Sequence, residues 1–307
     1  MSKKEKPITR KDFIKKSYSG LTGLFAYNTL KNSPLNLFNS GGQSFETRTL
    51  GRTGIKVSPV GFGAARTMEP SLLRAAVDHG MNFIDTGRSY ARGNNEIMVG
   101  KVLKDIRKDI VIQSKIKVSV TGRNRVARSS GTIMRNMESM LNASLKALQT
   151  DYIDIMLIHD VTDLNMMTND TVMEFLSAAK KKGQIRAHGF SAHGEIEFLQ
   201  SANETLFYDI LMMPFNHRGA YKHVLTGEVR EWDQPRVETE MQKAHKNNLG
   251  IVTMKSCSAG PYSPSEDGKP SFSEAIKWVI NHNFIHVAAV AMSNIQEIRE
   301  NVRIMIV

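Results

Sequence analysis

Cysteine is nearly absent: Cys257 stands alone in 307 residues, which excludes an intrachain disulfide and an iron-sulfur cluster held by this chain's cysteines. Long apolar runs are also missing. The stretch from Gly20 to Leu30 is far short of the roughly 20 residues that cross a bilayer, so no stable membrane span is expected. Low-complexity segments and internal repeats are absent from the body of the chain. Acidic residues are outnumbered, for a formal charge of +11, but the excess is uneven. Residues 1 to 44 hold eight cations against Glu5 and Asp12, leaving +6 there and +5 in all the rest. So mild a charge on the body removes most of the support for a nucleic-acid partner.

What is present begins with that leader. Its order is basic, then apolar, then a flexible Asn/Ser/Gly linker, the layout of an export signal. It resembles a twin-arginine signal, with Arg10-Lys11 in place of the paired arginines and Phe13, Ile14 and Lys15 downstream. Tyr27 and Asn28 interrupt the apolar part, and no clear cleavage site follows. Two readings stay open: an export address leading to the periplasm, or a basic extension on a cytoplasmic protein. The chain therefore divides into a leader, 1–44, and a body, 45–307.

Within the body, Phe45 to Ser58 predicts two short strands around a turn. Short apolar runs then alternate with amphipathic helical patterns to the end. The strands are expected at Pro59 to Gly63, Asn82 to Asp85, Ile110 to Lys115, Ile153 to His159, Ile185 to Ser191, Ile210 to Phe215, Gly250 to Lys255 and His286 to Met292. Helices are expected between them, as at Ser71 to Gly80, Thr132 to Gln149, Thr171 to Gly183 and Ser273 to His282. Eight such units are the number that closes a (β/α)8 TIM barrel, here with a short N-terminal β-hairpin.

A closed parallel barrel carries its chemistry at the carboxyl ends of its strands. Those ends read Gly63, Asp85, Lys115, His159, Ser191, Asn216, Lys255 and Ser293, with Tyr90 just beyond Asp85. Taken singly, each has an ordinary explanation: Lys115 as a strand end reaching water, His159 as a histidine satisfied by Asp160. On one rim, a carboxylate, an ammonium, an imidazole and a phenol make a catalytic reading the stronger one.

The span from Phe45 to Asn301 resembles the aldo-keto reductase family. The resemblance rests on the opening LGRTGIKVSPVGFG, the NFIDTG strand with its Tyr90, and the VIQSK, IDIMLIH and GFS segments. GFSAH, MMPFN and VTMKS are similar to a bacterial branch, part of which carries an iron-sulfur tail whose cysteines are absent here. The family's catalytic tetrad falls on Asp85, Tyr90, Lys115 and His159. It implies that a nicotinamide hydride attacks a carbonyl carbon while a proton reaches the alkoxide. Tyr90 is then the donor, Lys115 the group that lowers the phenol's pKa, Asp85 the orienter of Lys115, and a neutral His159 the positioner of the substrate oxygen.

The resemblance also implies cofactor contacts at Gly63, Asp85, Ser191, His193, Met212, Phe215, Asn216, Lys255, Ser293, Glu300 and Asn301. Several depart from the family: Ala192 and His193 replace the Asn after the serine, Met212 the Gln, and Met254 or Lys255 the stacking aromatic. Family habit favours NADP(H) slightly. NAD(H) suits the local sequence too, since Met292 stands at the usual Lys and Arg299 is the only nearby cation. No metal ligands are assigned. The partner is a small carbonyl or alcohol, with no nucleic acid and with homo-oligomerisation left open. Arg123, Arg125 and Arg128 are read as a solvated loop face, and Cys257 as a small buried residue. Either an open substrate site is expected, or one completed by other loops, such as Pro261 to Pro270, or by another subunit. The rival reading is a non-catalytic barrel that binds a cofactor for sensing and works through a protein partner.

Overall fold

The computed structural model describes residues 46–122, 126–222, 226–258, 260, 262 and 271–306. The leader, Arg123, Arg125 and the Pro261 to Pro270 loop apart from Tyr262 lie outside the described residues.

Chain order gives a hairpin, β1 (Arg48–Thr49) and β2 (Lys56–Val57), and then alternating strands and helices. The strands are β3 (Val60–Gly63), β4 (Phe83–Asp85), β5 (Val111–Ile116), β6 (Ile153–Ile158), β7 (Ile185–Ser191) and β8 (Ile210–Pro214), with β11 (Gly250–Met254) and β12 (Val287–Val290) last. These eight close a barrel in the order β11-β12-β3-β4-β5-β6-β7-β8, every pairing parallel. The expected (β/α)8 barrel is what forms, and no strand end differs from the expected one by more than two residues. Between β8 and β11 lies a hairpin absent from the expected pattern, β9 (Ala220–Lys222) and β10 (Val229–Glu231).

A strand alternates its side chains with period two, so each barrel strand feeds two cores. Phe83, Val111, Ile155, Leu157, Met212, Val252 and Val287 fill the interior, joined from below by Leu50, Ile55 and Val57 of the opening hairpin. Arg52 fastens that plug, donating to Leu206 O at 2.7 Å and Tyr208 O at 2.6 Å. The alternate residues, such as Phe62, Ile84, Ile112, Met156 and Met213, face the helices.

The helices are α1 (Pro70–Asp78), α2 (Asn94–Leu103), α3 (Ser130–Leu148), α4 (Leu164–Thr168), α5 (Asp170–Lys181), α6 (Ile196–Thr205), α7 (Gln234–Lys246), α8 (Phe272–Ile280) and α9 (Ile295–Arg303). The longest, α3, shows why they pack as they do. Ile133, Met137, Leu141, Ser144 and Leu148 recur every three or four residues and are its buried positions. Each buried aliphatic there contributes about 1.5–3 kcal/mol, and Leu141→Ala would cost about 2–5 kcal/mol. Asn169 caps α5 by accepting from Thr171 N and Val172 N, which fixes where that helix starts.

Candidate active site

The period-two rule aims Asp85, Gln113 and Lys115 into the barrel together, since Asp85 pairs in register with Gln113. Lys115 Nζ donates to Asp85 Oδ1 and to Thr86 O, the latter at 2.8 Å. Gln113 Nε2 donates to the same Asp85 oxygen at 2.7 Å and lies 3.3 Å from Met212 Sδ. Lys115 is only 2% exposed, and an ammonium so buried stays charged only with partners of this quality. Burial pushes its pKa down, but Asp85 and Tyr90 outweigh that, and the net direction is up.

Tyr90 brings its ring beside this pair, with Lys115 Nζ 4.8 Å from the ring centroid. His159, just past β6, meets Tyr90 edge-on at 5.6 Å between centroids and 81° between planes. Ser89 Oγ lies 3.2 Å from His159 Nδ1. Burial, helped by the charge of Lys115, pushes the His159 pKa down to about 4, so the imidazole is neutral at neutral pH. For Tyr90 the expected lowering by Lys115 is present, but it meets an opposing effect. Burial raises the phenol's pKa, the charge of Lys115 pulls it back only in part, and the net direction is up. Lys115 therefore offsets a desolvation cost rather than producing an acidic phenol.

The turn that carries Tyr90 is strained. Ala91 and Arg92 have φ of 47° and 55°, and Gly93 follows at 89°. The left-handed region costs a non-glycine residue about 1–2 kcal/mol, so two in succession need support from outside the turn. That support surrounds Arg88. Its backbone N–H donates to Lys115 O at 2.9 Å, and its guanidinium pairs with Glu96 Oε2 at 2.6 Å.

Asp85 and Tyr90 line a cavity of about 670 Å³ together with Gly63, Arg66, Met212, Tyr221, Lys222, Met254, Lys255 and Cys257, among others. Of the expected cofactor residues, it brings together Gly63, Asp85, Met212 and Lys255. Lys255 has φ 59° and sets its Nζ 3.2 Å from the centre of the Tyr221 ring, a cation-π contact. Burial and the nearby Arg230 charge push its pKa down to about 8. Cys257 is half-buried, its thiol pushed up to about 12 by burial.

The other expected contacts are occupied elsewhere. Ser191 Oγ accepts from Asp160 N at 3.0 Å, and His193 Nε2 lies 3.4 Å from Asp160. Phe215 faces outward, stacked on Trp278 at 5.4 Å. Asn216 donates to Ala220 O and Lys255 O, tying the β8 loop to the end of β11. At α9, Glu297 accepts from Ser293 N and Oγ, Glu300 accepts from Gln296, and Asn301 is buried. Arg128 donates to Thr121 O at 3.0 Å. Arg66, Tyr221 and Lys222 were not expected at the cavity. The Tyr-Lys pair sits on the unforeseen β9–β10 hairpin, and the only signal in the sequence is its position five residues after the strand-end Asn216. A second cavity of about 300 Å³ adjoins His159, lined by Lys117, Ser119, Thr121, Asp160, Asp163 and Met166 among others.

The aldo/keto reductase family model matches residues 64–274, a segment that includes Asp85, Tyr90, Lys115 and His159. The chain belongs to the aldo/keto reductase family. It is 34% identical to a probable voltage-gated potassium channel subunit beta of Arabidopsis thaliana over 123 residues, 36% of each chain. It is 31% identical to the L-galactose dehydrogenase of the same plant over 161 residues, 48% of each chain. The matched segments thus span between a third and a half of these relatives. An aldo/keto reductase from Klebsiella pneumoniae, solved with NADP and acetate, superimposes with a TM-score of 0.64 at 22% identity, covering 85% of this chain and 90% of that one. At that identity the likeness speaks to the barrel fold alone.

Proposed function

We propose that this aldo/keto reductase transfers hydride between a nicotinamide cofactor and a small carbonyl or alcohol, with Tyr90 as the proton donor. The observation that carries the proposal is the buried Lys115 ammonium, shared between Asp85 and the Tyr90 ring, both of which line the larger cavity. That cavity suits a dinucleotide in size. Arg66, Lys222 and Lys255 bring cations to it, and among the described residues the one carboxylate that lines it, Asp85, is already paired. At Gly63, on the cavity wall, a Cβ would press on the Val290 carbonyl carbon at 3.1 Å, so the close approach of β3 to the end of β12 favours glycine there. When bound, the nicotinamide supplies the hydride. Gly63, Met212, Tyr221 and Lys255 would hold it.

The chain's own groups do the rest. Neutral His159 donates a hydrogen bond to the substrate oxygen and orients it toward Tyr90. Tyr90 gives its phenolic proton as that oxygen becomes an alkoxide. Lys115, kept charged by Asp85, stabilises the phenolate left behind. A non-catalytic barrel has no use for this arrangement, and that rival is not favoured.

Family habit supports NADP(H). One observation favours NAD(H) as a second reading: the Glu297 carboxylate takes the donors of Ser293 and Asn294 and would repel a 2′-phosphate placed there. The leader, 1–44, is proposed as an export address that places the protein in the periplasm. Fractionation with and without it decides between periplasm and cytoplasm.

The test of the function is cofactor oxidation by purified protein with a panel of aldehydes, ketones, quinones and sugars, run with NADPH and with NADH. Turnover of at least one carbonyl supports the reading. Tight cofactor binding with no turnover contradicts it.

A further inference from the structure

Tyr90 is the one group of the tetrad that no strand holds. Asp85 and Lys115 sit within β4 and β5, and His159 follows directly on β6, but Tyr90 stands at the head of the left-handed run Ala91, Arg92 and Gly93. Locally the run has its glycine and a few hydrogen bonds, Arg92 N to Ser89 O at 3.3 Å and Asn94 Nδ2 to Ala91 O at 3.0 Å among them. The structure supplies a brace from behind.

The Arg88 side chain turns away from the cavity and pairs with Glu96, a carboxylate with 0% exposure in the first turn of α2. The other Glu96 oxygen accepts from Ser114 Oγ at 2.6 Å, so the carboxylate also grips β5 at the residue before Lys115. Arg88 Nη1 reaches on to the carbonyl of Ala143 in α3 at 3.2 Å. Gly93 is where the turn and the brace meet: a Cβ on it would lie 1.4 Å from Arg88 Nη2. The left-handed turn closes only with the guanidinium laid across a residue that has no side chain. Loop, α2, β5 and α3 are thus joined at one ion pair, and neither of its residues lines the larger cavity.

We propose that Arg88 and Glu96 are positioning residues that hold Tyr90 in register with Lys115 and His159, using Ser114 and Gly93 as their seat. This rests on the proposed role of Tyr90 but concerns a different property, the order of the turn. Both residues act through Tyr90 and neither touches substrate. A buried pair that only stabilised the fold would, when weakened, lower the melting temperature and leave the Tyr90 environment alone.

The experiment labels the full chain with tyrosine carrying carbon-13 at Cζ, giving seven resonances, and assigns one by its loss in Tyr90→Phe. Spectra and steady-state rates are compared for wild type, Glu96→Gln and Arg88→Lys. Glu96→Gln keeps the volume and the Ser114 bond but removes the charge; Arg88→Lys keeps the charge but not the reach. We expect the Tyr90 resonance to broaden or split in both while the other six stay sharp. kcat should fall about 10- to 100-fold with KM for the carbonyl within twofold of wild type, the result of misplacing a proton donor rather than losing a binding contact. An unchanged Tyr90 resonance and unchanged kcat in a variant of lowered melting temperature would overturn the proposal. Should Glu96→Gln not fold, Arg88→Lys decides by the same criteria. If no carbonyl is turned over by wild type, the reductase reading fails, and the resonance alone still says whether the brace orders Tyr90.

Discussion

Lys115 holds its ammonium 4.8 Å from the centre of the Tyr90 ring while donating to Asp85 and to the Thr86 carbonyl. One cation thus serves two anionic partners, a permanent one and a transient one. Lys115→Met should cut the carbonyl-reduction rate at least about 100-fold. It should also raise the Tyr90 pKa further, because the charge that pulls it down is gone. Leaving Asp85 buried and unpaired should cost about 3–5 kcal/mol of stability. Adding Asp85→Asn should restore much of the stability and none of the rate, as denaturant melts beside kinetics would read.

Two histidines away from the site set the acid stability. His188, stacked on Phe207 beside Asp209, Lys180 and Arg52, and His286, which accepts from Ile251 N and adjoins His245 and Arg48, are both pushed down to about 4, chiefly by burial. Unfolding lets each bind a proton near its ordinary 6.5, so their neutral burial favours the fold above that pH. The contribution is lost as pH falls from about 6.5 toward 4, by up to about 3 kcal/mol for each residue. Denaturant midpoints measured across that window should fall, and His286→Asn should flatten the fall.

Lys255 predicts the pH dependence of cofactor binding. Its pKa near 8 means that the ammonium is present below that pH and lost above it. Affinity for the phosphate-bearing cofactor should therefore weaken as pH rises through about 8. Lys255→Arg should keep it level, and Lys255→Met should lower it about tenfold at neutral pH. Fluorescence titration at several pH values checks all three.

Phe215 should behave as core. It is fully buried and packed against Trp278, His282 and Phe284. Phe215→Ala should cost about 3–5 kcal/mol in stability and leave cofactor affinity within twofold. A selective loss of cofactor binding without loss of stability would put the residue back at the site.

Much of the barrel was legible because most strands are apolar runs closed by a polar or charged residue at the rim, as Ile84 runs into Asp85. Asp85, Lys115 and His159 were placed on one rim by the same reasoning, whereas Tyr90 stands in the turn beyond β4. The cofactor contacts were less so, since they depend on which face a residue takes beyond the last strand pair. Met212 points inward and Phe215, three residues on, points out, as period two requires. Lys255 would point away by parity, but its left-handed backbone re-aims it into the cavity. The β9–β10 hairpin was missed because its strands are three residues each, and β10 is exposed throughout, so no apolar pattern marks it.

The most direct test of the central claim is the rate of hydride transfer from prebound cofactor to a carbonyl in a single turnover, wild type against Tyr90→Phe, with cofactor affinity measured on the same samples. The proton-donor role predicts a rate lower by about 100-fold or more at unchanged affinity. Equal rates in the two proteins would contradict it.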